Sequence, residues 1–152
     1  MTPERETMKR AERDKAEGKA PSTQAGEFIR EEMHHIREGK HGARSSRQAI
    51  AIGLSKARRA GVKLPPPKRG SVQLRHKAAQ DLARGRHPVS SKISPARSRA
   101  TSRALKREGT SAASRTSLSR HAHASARRRS AAERSSTAQK AARTRSHLHR
   151  HS

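Results

Sequence analysis

The sequence predicts an all-α protein, a small helical hairpin with a largely disordered, helix-prone basic C-terminal tail. Three observations lead there. Apolar residues recur at helical spacing in two adjacent stretches between Gly26 and Gly61. Only 29% of the 152 residues are apolar, many of them Ala, with one Phe and no Tyr or Trp. Nine of the 12 acidic residues fall at or before Glu38, after which only Asp81, Glu108 and Glu133 remain. A chain so poor in large apolar residues, at such net charge, cannot offset the entropy of ordering along its whole length. One small hydrophobic cluster is expected, where the Ile residues concentrate. The expected division is residues 1–21 as a charged helix and linker, 22–63 as the hairpin core, and 64–152 as a Pro spacer and Arg/Ser/Ala-rich tail.

Thr2 to Glu17 reads as an exposed charged helix. Thr2 suits its cap, Pro3 its first turn, and Glu4 and Glu6 the positive end of the dipole. It has no apolar stripe, so marginal stability is expected. Pro21 to Gln24 reads as a break. Gly26 to Glu38 is amphipathic, with Ile29, Met33 and Ile36 at i, i+4 and i+7, Phe28 at the edge, and Glu27, Glu31, His34 and Glu38 opposite. Ser45 to Ala60 is the best-marked helix. Ser45 and Gln48 have capping-box spacing, Ile50, Gly53, Leu54 and Ala57 form the apolar stripe, and Gly61 sits where a C-terminal cap belongs. Two short amphipathic helices so closely joined make a hairpin with one buried seam.

Pro65, Pro66 and Pro67 form a stiff extended spacer. Beyond it, helix punctuation survives in low-complexity sequence. Ser71 starts a segment running to Ala83, Ser94 and Pro95 start one ending at Gly109, and Ser130 with Glu133 repeats the capping-box spacing before an Ala-rich run. None has a wide apolar face, so nascent helices that a partner completes are expected. Ser94-Pro95-Ala96-Arg97 is similar to the Ser-Pro-basic turns of linker-histone tails, and equally suits a plain helix start.

The charge pattern bears on function. The first 38 residues hold 8 Lys and Arg against 9 acids, and the remaining 114 hold 29 against 3. A polycation of this density, lacking acids to balance it, needs a polyanion, and nucleic acid is the abundant one. The cations expected to contact phosphate are Arg47, Lys56, Arg58, Arg59, Lys63, Lys68, Arg69, Arg97, Arg99, Arg103, Lys106, Arg107, Arg127, Arg128, Arg129, Arg143 and Arg145. Arg forks pair bidentately with phosphate and fit narrow minor grooves. The near absence of aromatics argues against modules that stack single-stranded bases.

Other chemistry is faint. There is no Cys, hence no disulfide framework and no thiolate zinc site. The ten His residues include His34 with His35, His121 with His123, and the alternating His147, His149 and His151; no carboxylate or thiolate lies near the last three, so added positive charge at mildly acidic pH is expected rather than a metal site. No nucleophile elbow or phosphate loop appears, so neither an enzyme nor a cofactor is expected. No apolar run approaches the ~20 residues of a membrane span, and Met1 to Ala20 lacks the apolar centre of a secretory signal. A cytoplasmic protein is expected.

Met33 to Lys40 (Met-His-His-Ile-Arg-Glu-Gly-Lys) and Ser46 to Ala57 (Ser-Arg-Gln-Ala-Ile-Ala-Ile-Gly-Leu-Ser-Lys-Ala) resemble a small uncharacterised bacterial domain family. Its pattern is an apolar-His-Glu-aromatic-basic-x-Gly segment followed by Arg-Gln-Ala-Ile-Ala-Ile-Ala-Leu-Ser. Here His35 stands in the Glu position, Ile36 in the aromatic position and Gly53 in an Ala position, departures expected to loosen the seam. The resemblance implies a bacterial source and a helical core, and some members are described as histone-like. The expected activity is histone-like, sequence-independent binding, of DNA more than RNA, associated with the nucleoid. The alternatives are an RNA- or ribosome-associated basic protein and an adaptor that binds a protein partner through Ile50 and Ile52. No membrane partner is expected.

Overall fold

The computed structural model describes residues 3–87 and 94–150. All regular structure among them is helical: α1 (Pro3–Ala16), α2 (Pro21–Arg37), α3 (Ser46–Arg59), α4 (Val72–Arg86), α5 (Pro95–Arg107), a 3-10 turn (Ser111–Ala113), α6 (Arg115–Arg127) and α7 (Ala131–Arg150). The proposed cap at Thr2 lies outside the described residues. The chain forms two units, residues 1–117 and 118–152.

The first unit is more than a hairpin. α2 packs against α1 on one side and α3 on the other, and α4 packs on α3. α2 begins at Pro21, not after a break: Pro21 occupies the first turn, where its missing N–H costs nothing. The extra turn brings Gln24 and Ala25 into the buried face beside Phe28, Met33 and Ile36. Nor is α1 merely exposed. Ala11 joins a core cluster with Ala25, Phe28, Ala57 and Val62, and Met8, Leu54, Ala60 and Leu64 pack around it. Thr7 and Asp14 are buried too. Arg10 ties α1 to α2, its Nε donating to Glu27 Oε2 at 2.7 Å. Few apolar positions were needed because most of this seam is Ala.

The seam of α3 is rotated from the expected stripe. Ser46, Ala49, Gly53 and Ala57 are buried, while Ile50, Ile52 and Leu54 are only partly so. Small residues at this spacing let two helix backbones meet. At Gly53 a Cβ would lie 2.8 Å from Ile29 Cα and 3.0 Å from Ile29 N. Gly53 therefore makes the α2–α3 seam close, the opposite of the loosening its departure from Ala suggested. Ser45 caps α3 by accepting from Gln48 N at 3.2 Å, and Gln48 Oε1 accepts from Arg44 N at 2.7 Å. Gly61, at φ 103°, ends the helix in a conformation that other residues rarely adopt.

α4 is held by polar contacts in place of an apolar face. Only Ala78 and Asp81 are buried on it. Asp81 accepts from Ser55 Oγ of α3 at 2.7 Å and from Lys77 Nζ at 2.9 Å. Gly85, placed beyond the expected end of this helix, lies against the Arg58 carbonyl so closely that a Cβ would meet it at 2.0 Å. Farther on, Gly42 N donates to Leu105 O and Ala43 N to Gly109 O, tying the end of α5 to the loop after α2. The 3-10 turn buries Ala112 and Ala113, and Ala112 O accepts from Ser46 Oγ at 2.5 Å.

The segment expected to be disordered thus carries four helices, α4 to α7, among its described residues. Its helices nonetheless keep the exposure the composition implies: α5, α6 and α7 have no buried residue. At the starts of α6 and α7 the bonds that fix the helix are local. Ser130 N donates to Glu133 Oε2 at 2.7 Å and Glu133 N to Ser130 Oγ at 3.1 Å, a complete capping box at the start of α7. Ser114 Oγ accepts from Ser117 N at 3.1 Å at the start of α6, a helix the sequence reading did not separate out. Pro95 begins α5 in the plain helix-start geometry, and Ser94 makes no side-chain cap bond.

Candidate nucleic-acid interface

The expected phosphate contacts fall into three structural groups. The first is α5. Arg99, Arg103, Lys106 and Arg107 stand at i, i+4, i+7 and i+8, which places them on one helix face, and all are exposed. Arg97 is exposed on another face. No acid within the helix opposes them, and Lys106 and Arg107 lie in its last turn, where the dipole favours cations.

The second group is in residues 118–152. Arg127, Arg128 and Arg129 lie exposed at the end of α6 and in the turn after it, and Arg143 and Arg145 lie exposed on α7. Here Arg134 acts as a brace, donating from Nη1 to Arg129 O at 3.0 Å. Glu133 is the only acid in this unit, and its carboxylate is engaged in the cap of α7.

The third group, around α3, divides. Arg47, Arg59, Lys63, Lys68 and Arg69 are exposed. Arg58 is buried at 7% exposure, and its guanidinium donates to Leu64 O and Pro65 O at 3.1 and 3.2 Å. Burial lowers its pKa, and the charge of Asp81 partly restores it. Lys56 is half-buried and paired with Glu32 of α2. These two cations fasten the fold and are not presented to a ligand.

The structure adds cations that sequence reasoning passed over. Arg75, Arg84 and Arg86 are exposed on α4. Arg37 and Arg115 flank an open cleft of about 510 Å³ with Thr110 and Ser111 on its wall, and Arg37 Nε donates to Ala113 O at 3.0 Å. Nothing in the spacing of Arg37 and Arg115 announces this, because the 3-10 turn that joins them has no periodic signal.

The expected adaptor surface is less open. Ile50 and Ile52 are both partly buried, and the large apolar side chains exposed among the described residues are Val72, Leu74 and Leu148. No helix among the described residues is long and apolar enough to cross a membrane.

Fold and surface together define a small all-helical protein with an exposed basic half. Over residues 15–69 the chain matches a family of unknown function (DUF6496). That stretch takes in α2, α3 and their connection, where the sequence resemblance lay. No curated protein and no solved structure shows detectable similarity to the chain.

Proposed function

We propose that the protein binds double-stranded DNA without regard to sequence, by neutralising phosphates and releasing counterions. The observation that supports this reading is the coincidence of charge and exposure. Past Glu38 the chain carries 29 Lys and Arg against 3 acids, and α5, α6 and α7 bury none of their cations. An exposed basic helix face fits a groove or a phosphate row. No rigid set of base-reading side chains accompanies it, so discrimination between sequences should be small.

A salt titration on two unrelated duplexes of equal length tests the proposal. Affinity should fall with a log–log slope of about −0.9 per phosphate neutralised. Replacing Arg99, Arg103, Lys106 and Arg107 by Ala should flatten that slope by about 3–4. Replacing Arg127, Arg128 and Arg129 should weaken binding alike on both duplexes. A flat salt dependence, or a marked preference for one duplex, overturns the reading. Tighter binding to an RNA duplex at every salt concentration moves it to the RNA-associated alternative.

A further inference from the structure

One cluster in the first unit is built unlike the rest of the surface. Glu32 of α2 is fully buried. Its Oε1 is paired with Lys56 Nζ from α3. Its Oε2 is buried and takes part in no hydrogen bond, although His41 Nε2 stands only 3.1 Å away. His35, one turn along α2, has Nδ1 3.8 Å from Glu32 Oε1 and its ring edge-on to that of His41. One donor atom from each of Glu32, His35 and His41 lies within 4.8 Å of the other two.

The proton on His41 gives this arrangement its meaning. His41 Nδ1 is 3.0 Å from Gly42 O. A carbonyl oxygen only accepts, so Nδ1 donates to it and Nε2 is the nitrogen left to face Glu32. Nε2 stands 3.1 Å from Glu32 Oε2, a buried oxygen that takes part in no hydrogen bond. A buried carboxylate oxygen left without a hydrogen bond calls for a cation beside it. An imidazole whose outer nitrogen donates to a backbone carbonyl is held as metal-ligating histidines commonly are. Lys56 does not compete, because it occupies the other oxygen.

We propose that Glu32 Oε2, His35 and His41 Nε2 bind a divalent cation of the late first-row class, for which Zn²⁺ is the natural probe. Two imidazoles and one carboxylate suit such an ion, with ligand distances of about 2.0–2.2 Å and ligands about 3.3 Å apart in a tetrahedral shell. The His41–Glu32 pair has nearly that separation already at 3.1 Å, and a His35 nitrogen lies within 4.8 Å of both ligand atoms. Glu31 Oε1, buried without a hydrogen bond, stands 3.8 Å from His35 Nε2, the ring nitrogen other than the one nearest Glu32. A cleft of about 260 Å³ opens beside Glu31, His34 and His35 and gives the ion a way in. Metal there would fix the loop after α2, the loop that also receives the end of α5 through Gly42 and Ala43. The competing occupant is a second ring proton, making His41 a cation paired with Glu32.

The test uses the full chain, freed of nucleic acid and stripped with a chelator. Zn²⁺ is titrated by calorimetry, and Co²⁺ reports coordination through its ligand-field absorption. One tight site per chain is expected, with Co²⁺ spectra of four-coordinate form and a thermal midpoint that rises with Zn²⁺. His41→Gln should weaken that site about 100-fold or more while circular dichroism confirms its helices. The triple variant His147→Gln, His149→Gln and His151→Gln should leave it intact, which separates it from chelation by the chain end. Should His41→Gln fail to fold, the wild-type nitrogen spectrum decides: one equivalent of Zn²⁺ must shift the ring nitrogens of His35 and His41. Equal zinc binding by wild type and a folded His41→Gln overturns the proposal. So does a doubly protonated His41 ring, unmoved by zinc, at neutral pH.

Discussion

Gly53→Ala adds one methyl group to the middle of α3, and its effect follows from two opposed quantities. Ala is the better helix former by about 0.8–1 kcal/mol. Against this, the new Cβ would stand 2.8 Å from Ile29 Cα, 2.9 Å from Ile29 Cγ1 and 3.0 Å from Ile29 N. Carbon atoms rest at about 3.5–4.0 Å, so α2 and α3 must part by roughly 0.7 Å. Two of the three atoms are backbone and cannot rotate away. Overpacking of this kind costs about 1–3 kcal/mol, leaving a net loss of up to about 2 kcal/mol. Gly26→Ala is the internal control. It lies within α2 with nothing within 4 Å of a new Cβ, so it should gain up to about 1 kcal/mol. The same chemical change should thus give opposite signs, with thermal midpoints apart by on the order of 10 °C. Urea unfolding followed by far-ultraviolet circular dichroism measures both, with equal m-values required for the comparison. If Gly53→Ala stabilises as Gly26→Ala does, the close crossing of α2 and α3 is wrong.

Two further outcomes test the polar fastenings. Burial raises the pKa of Asp81, but hydrogen bonds from Ser55 and Lys77 and the charges of Lys77 and Arg59 outweigh it and leave the carboxyl below its usual range. A depressed folded pKa contributes stability that is present above the unfolded value of about 3.9 and is lost as pH falls through the folded one. Asp81→Asn should therefore lower stability at neutral pH and show a shallower acid loss than wild type; parallel acid profiles in urea titrations would remove Asp81 from the account. Arg58→Ala should cost about 1–3 kcal/mol by stranding the Leu64 and Pro65 carbonyls, yet leave the salt slope of DNA binding unchanged. Arg99→Ala should do the reverse, and a matching loss of slope in both variants would show that Arg58 is not set apart by its burial.

The helices of the first unit were legible where local chemistry marks them. Ser45 accepts from a backbone N–H three residues on, as its spacing with Gln48 proposed; Ser71, read only as a helix start, does the same, and so, in residues 118–152, does Ser130, as its spacing with Glu133 proposed. Met33 and Ile36 are buried as the helical period required. The packing was not legible, for a definite reason. Hydrophobic periodicity finds seams made of large residues, and here the seam is Ala49, Gly53 and Ala57 against α2, with Ala11 and Ala25 beyond. Small residues carry little pattern yet allow the closest backbone approach. Glu31 read as part of the polar face opposite the stripe, and nothing in the sequence set Glu32 apart, because acids are usually solvated. Only the arrival of α1, α3 and the His41 loop buries them. The candidate basic face on α5 was legible residue by residue, whereas the removal of Lys56 and Arg58 from the candidate contacts on α3 depends on Glu32 of α2 for the one and on the turn at Leu64 and Pro65 for the other.

The three late acids have a consequence beyond their local bonds. Asp81 anchors α4, Glu133 caps α7, and the backbone carbonyl of Glu108 is pressed against Gly42 at the end of α5. Each is committed to the place where a helix is fixed or bounded. With the carboxylates of Asp81 and Glu133 so engaged, and 29 Lys and Arg against 3 acids past Glu38, the basic half behaves as a polyelectrolyte, its like charges pushing its own turns apart in dilute buffer. Added salt then acts in two directions at once. It screens the self-repulsion and favours α5 and α7, while it weakens the hold on any polyanion, so helicity and affinity should move oppositely along a single ionic-strength axis.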